Sequence, residues 1–83
     1  MKVYIVNVYE VEECTVKIHK AVVFTTMDEA KAYMQKYIDR ADVIYSDWTE
    51  VERSEDCYVR YLDGYYSTDH IEVFITEQEL NVP

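Results

Sequence analysis

Eighty-three residues suffice for one domain and not for two, because so short a chain cannot bury two separate cores. Hydrophobic residues at 49% and aromatic residues at 14% exclude a disordered acidic tail, which lacks core-forming side chains. A formal net charge of −9 argues against direct binding to nucleic acid or to an anionic membrane surface, since both repel it.

The charge is unevenly placed. Residues 1–41 carry Glu10, Glu12, Glu13, Asp28, Glu29 and Asp39 against an equal number of Lys and Arg. From residue 42 onward the only basic residues are Arg53 and Arg60, so the net charge of −9 lies wholly in the second half. Such asymmetry points to an interaction surface. Nine tyrosines exceed what a small core needs, and tyrosine is enriched at interfaces.

The opening Met1-Lys2-Val3-Tyr4-Ile5-Val6-Asn7 lacks the long apolar stretch and cleavage site of a signal peptide. No segment approaches the ~20 apolar residues that span a bilayer. Two cysteines without a secretory signal read as reduced thiols. These features predict a cytoplasmic protein.

In chain order, Lys2–Val11 is rich in Val, Ile and Tyr, with apolar side chains on both parities, as in a central strand. Thr15–Thr25 alternates, with Val16, Ile18, Val22 and Phe24 expected on one side and Lys17 and His19 on the other. The short Glu12-Glu13 link predicts a hairpin between the two. Thr26 followed by Glu29 matches a capping box and opens a helix. Ala30, Tyr33, Met34, Tyr37, Ile38 and Ala41 form its apolar stripe, and Lys31, Gln35, Lys36, Asp39 and Arg40 fall opposite.

Beyond the helix, Val43–Arg53 reads as a strand that becomes polar towards its end. Cys57–Leu62 and Tyr65–Ser67 flank Asp63-Gly64, a pair suited to a type I′ turn because both positions need positive φ. Ile71–Thr76 is a last alternating strand. The expected fold is α+β: one domain over residues 1–83, an antiparallel sheet of four to five strands, and one helix packed on it, in the order β-β-α-β-β(-β).

A two-residue turn at Asp63-Gly64 sets a register that can be extended. It places Cys57 opposite His70 and Glu55 opposite Glu72, all on one face. One thiol, one imidazole and two carboxylates then form a candidate Zn²⁺ site. The alternative is a buried Cys beside a solvated His and carboxylates. Cys14 and His19 are further soft ligands, but they sit on opposite parities of one strand.

Catalytic signatures are weak. A single glycine excludes Gly-rich phosphate loops, and neither Cys is framed by an acid–base motif, so the reading is non-enzymatic. The stretch Asp47–Asp56 interleaves carboxylates with an aromatic ring. Asp47, Trp48, Glu50, Glu52, Glu55 and Asp56, with the following Tyr58, are the candidate partner-binding residues. Carboxylates spaced along a strand can sit where nucleic-acid phosphates would sit, and Trp and Tyr serve as rigid anchors. The alternative is a soluble face whose charge prevents edge aggregation.

Lys2-Val3-Tyr4-Ile5-Val6 and Val22-Val23-Phe24-Thr25-Thr26-Met27-Asp28-Glu29-Ala30 resemble small acidic accessory proteins of phages and prophages from Gram-positive bacteria. That group includes anti-CRISPR proteins. The resemblance implies an inhibitor that occupies a basic surface of an RNA-guided CRISPR effector nuclease in the host cytoplasm, as monomer or homodimer. It assigns no residue a role. The second expectation is a metal-binding or self-associating accessory domain.

Overall fold

The computed structural model describes residues 1–13, 15–61 and 69–80, with Val51 by its backbone alone. The elements run β1 (Lys2–Glu12), β2 (Thr15–Ile18), β3 (Val22–Phe24), α1 (Met27–Ile44), β4 (Thr49–Arg53), β5 (Cys57–Tyr61) and β6 (His70–Glu79). The six strands form one antiparallel sheet in the order β2-β1-β6-β5-β4, with β3 pairing β1 beside β2. The α+β architecture follows the sequence reading, with one strand more than its upper count.

The extra strand comes from a bulge. Tyr9 faces Ile18 and Glu12 faces Thr15, a register that would bring Ala21 opposite Val6. Val22 stands there instead. One residue has been inserted across His19–Ala21, and a one-residue slip exchanges the faces of everything beyond it. Val22 and Phe24 therefore face the helix, whereas Val16 and Ile18, expected with them, point away and are 61% and 68% exposed.

The helix begins as its capping residues dictate. Thr26 has extended φ/ψ and its Oγ1 accepts from the Glu29 amide at 3.2 Å, while its hydroxyl donates to Glu29 Oε1 at 2.9 Å. Asp28 and Glu29 face the positive end of the helix dipole. The helix runs on to Ile44, through the start of the strand expected at Val43. Ala41 and Tyr45 continue the buried stripe of Ala30, Met34 and Ile38, leaving Val43 and Ile44 exposed on the far side. Burial of one flank outweighs the β preference of two β-branched residues. Tyr45 closes the helix, its amide donating to Ala41 O at 2.8 Å.

The core lies between α1 and one face of the sheet. Val6, Val8, Tyr58, Ile71, Val73 and Ile75 meet Ala30, Met34, Ile38, Ala41, Tyr45 and Trp48. Each fully buried aliphatic side chain contributes about 1.5–3 kcal/mol relative to exposure. Among the described residues, no helix is long and apolar enough to cross a membrane.

Candidate functional site

Residues paired across strands share a face, so the register assigns every strand side chain to the helix side or to the open side. On the open side one row runs Ile18, Tyr9, Glu72, Val59, Glu52 across β2, β1, β6, β5 and β4. The next row runs Val16, Val11, His70, Tyr61, Thr49. Asn7, Phe74 and Cys57 lie on the other side of the first row. Tyr9 and Phe74 stack at 5.6 Å between centroids, and Tyr61 tilts over His70 at 5.3 Å. The helix α1 packs on the opposite face.

Cations are segregated to one side of the sheet. Lys2, Lys17, Arg53 and Arg60 are the basic residues of the described strands, and all four fall on the helix side, together with Glu10, Glu12, Glu50, Glu77 and Glu79. The open side has Glu52 and Glu72, with Cys57 near both. Burial first, then Glu52 and Glu72, pushes the Cys57 thiol up, so it is held as the neutral S–H.

Arg53 and Arg60, the only cations of the acidic half, are consumed on the helix side. Arg53 forms paired bonds to Asp42 at 2.9 and 3.1 Å and another to Glu50 at 2.6 Å. Arg60 lies 3.4 Å from Asp42 and donates to Tyr45 O at 3.0 Å. Both guanidinium groups lie over the Tyr58 ring, at 5.1 and 5.9 Å. The carboxylates of Glu52 and Glu72 are thereby left without an Arg partner.

A second network meets the same C-terminal end of the helix from its other flank. Glu10 accepts from Tyr45 Oη at 3.1 Å and lies 2.8 Å from His19 Nε2. Burial, then the bond to Glu10, pushes the Tyr45 phenol up to about 12. His19 meets the edge of the Tyr37 ring. It thus belongs to the joint between bulge and helix.

The candidate partner-binding residues are dispersed. Trp48 is 9% exposed and stacks on Tyr45 at 4.0 Å, and Tyr58 is 0% exposed. Both rings belong to the core and are not offered as anchors. Glu50 faces the helix side with the arginines, and Glu55 lies 3.5 Å from Lys31 of the helix. Asp47 and Asp56 are exposed outside the strands, and Ser54 Oγ donates to Asp56 at 3.1 Å. Of the seven, Glu52 alone reaches the open face within a strand.

The candidate zinc site does not assemble. Cys57 pairs with Phe74 and His70 with Tyr61, a register four residues from the expected one. Four residues along a strand is roughly 13 Å, beyond the span of one coordination sphere. Glu72 faces Val59 rather than Glu55, and Glu55 lies before the first residue of β5. Among the described residues no three His, Cys, Asp or Glu side chains converge for a metal. Residues 62–69 link the paired ends of β5 and β6. The Asp63-Gly64 turn and the Tyr65–Ser67 strand lie outside the described residues, as does Cys14.

Tyr61 is among the rings the sequence sets beside the acidic stretch, whereas Tyr9, Val59 and Phe74, which build the open face with it and the two glutamates, are not singled out from the sequence. Their signal is the apolar character of both parities in β1, which predicts a second surface needing cover. Comparison with protein-family models, with curated proteins and with solved structures finds no match to this chain.

Proposed function

We propose that this is a non-catalytic cytoplasmic binding protein whose open sheet face docks on a basic protein surface. The supporting observation is the segregation of cations across the sheet. All cations of the described strands lie on the helix side, while the open side joins Glu52 and Glu72 to exposed and half-buried Tyr9, Val59, Tyr61 and Phe74. Such a face suits a partner with Arg or Lys side chains set among apolar groups. Carboxylates steer the encounter, and aromatic and apolar area supplies the hold.

The partner class this chemistry fits best is a nucleic-acid-binding protein, whose basic groove the acidic face would occupy in place of phosphates. With the likeness of roughly its first 40 residues to phage accessory proteins, an inhibitor of an RNA-guided nuclease is the specific form of the proposal. The test is cleavage of a target duplex by such a purified nuclease with increasing amounts of the chain. Inhibition that is lost on Glu52→Lys with Glu72→Lys supports the reading. Undiminished cleavage across nucleases of several subtypes removes the nuclease as partner.

A further inference from the structure

The helix has a flank of opposite character to the acidic half. Tyr33, Lys36, Tyr37 and Arg40 line an open surface groove, a cavity of about 260 Å³. They follow the spacing that sets side chains on one helical face. Tyr33 packs on Phe24 of β3 and Tyr37 on His19, so this flank overlooks the β2/β3 edge, whereas Asp42 reaches to Tyr58 and Arg53 on the other flank.

Every polar group that lines the cavity is a donor. Tyr33 and Tyr37 share one hydrogen bond at 3.3 Å, which uses one phenol proton and leaves the other free to donate. Lys36 and Arg40 form no ion pair among the described residues, in a chain with 17 acids. Asp39, between them in sequence, accepts from Gln35 instead. Like charges four residues apart on a helix repel, and neither residue is in the last turn, where the dipole would favour it.

We propose that this cavity binds a small phosphomonoester with an aromatic or planar group. A phosphomonoester carries about −1.5 to −2 charge at neutral pH and matches two uncompensated cations. The Arg40 guanidinium offers a planar fork for two phosphate oxygens, Lys36 a point charge, and a phenol a third donor. The Tyr33 and Tyr37 rings wall the remainder of the ligand. Glu10 of β1 acts on the Tyr37 phenol from this side, and its carboxylate is engaged by Tyr45 and His19.

The test is titration of the ¹⁵N-labelled full chain with phenyl phosphate, with phenol as the probe that lacks the anion. Saturable amide shifts confined to residues 33–40 and their β3 neighbours are expected with phenyl phosphate and not with phenol. Arg40→Ala and Lys36→Ala should each weaken binding about tenfold, with spectra that otherwise report an intact fold, while Lys31→Ala binds as the parent does. Equal shifts with phenol, no saturation, or unchanged affinity in both variants would overturn the assignment.

Discussion

The carboxylate of Asp42, late in the helix, accepts a hydrogen bond of 2.9 Å from the hydroxyl of Tyr58, whose ring is fully buried in the centre of the molecule. Arg53 and Arg60 converge on the same carboxylate. One acid therefore ties the helix to β4 and β5 and absorbs both cations of the acidic half. Tyr58→Phe should destabilise the fold by about 1.5–3 kcal/mol, the range for a bond to a charged group. Asp42→Ala should cost at least as much, because it strands a phenol and two guanidinium groups. Urea midpoints measure both.

The same carboxylate gives the acid limb of stability a definite sign. Burial raises its pKa, but bonds from Arg53 and Tyr58 more than offset that and hold it below the ordinary value of 3.8. A depressed carboxyl stabilises the fold above its unfolded-state pKa and loses that contribution as pH falls through the folded one. Thermal midpoints should therefore drop below about pH 4, and Asp42→Asn should show a shallower drop.

At alkaline pH the tyrosines divide. Burial, followed by the bond to Asp42, pushes the Tyr58 phenol up to about 12, and Tyr45 is raised to about 12 by burial and Glu10. A phenol raised in the folded state favours folding below its unfolded value of 10 and loses that effect as pH climbs through the folded one. Absorbance titration should show late-ionising tyrosines, Tyr45 and Tyr58 with Tyr37, whose phenol is raised by its bond to Tyr33, coincident with unfolding between pH 10 and 12. Tyr58→Phe should remove one of them.

Core placement of Trp48 gives a result opposite to that of an interface anchor. Trp48→Ala should cost about 3–5 kcal/mol of stability, the range for deleting a buried aromatic ring. The emission of the parent Trp should be blue-shifted and change only on unfolding. Red-shifted emission in the native protein would contradict its stacking on Tyr45 in the core.

The register of β5 and β6 predicts an inert Cys57. In a Cys14→Ser background the thiol should alkylate more slowly at pH 8 than a free cysteine, because burial and Glu52 keep it protonated. Zn²⁺ should leave the thermal midpoint of this variant unchanged. A metal-dependent rise abolished by Cys57→Ser would restore the zinc site.

The sequence carried the local elements and lost the long-range pairing. Thr26 and Glu29 are a cap by their own chemistry, so the helix start is legible residue by residue. Apolar side chains on both parities of β1 likewise mark a central strand. The register between β5 and β6 is not legible, since a shift of four residues keeps Cys57, His70 and Glu72 on one face and leaves the alternation unchanged. The insertion at His19–Ala21 is equally silent, although it turns Val16 and Ile18 outward. Trp48 among carboxylates reads as surface, yet contact with Tyr45 at the helix end draws it inward. Charge was legible as an asymmetry along the chain; only the paired strands show that the strand-borne cations share one side of the sheet.

The most direct test of the open-face account maps where a cationic partner touches. The ¹⁵N-labelled chain is titrated with an arginine-rich peptide at physiological salt. The account predicts amide shifts on Glu52, Cys57, Val59, Tyr61, Glu72 and Phe74, lost in Glu52→Lys with Glu72→Lys and weakened by added salt. Shifts confined to Asp47, Glu55 and Asp56, and indifferent to that double reversal, would show that only diffuse charge attracts the peptide, and would contradict the open face as the docking surface.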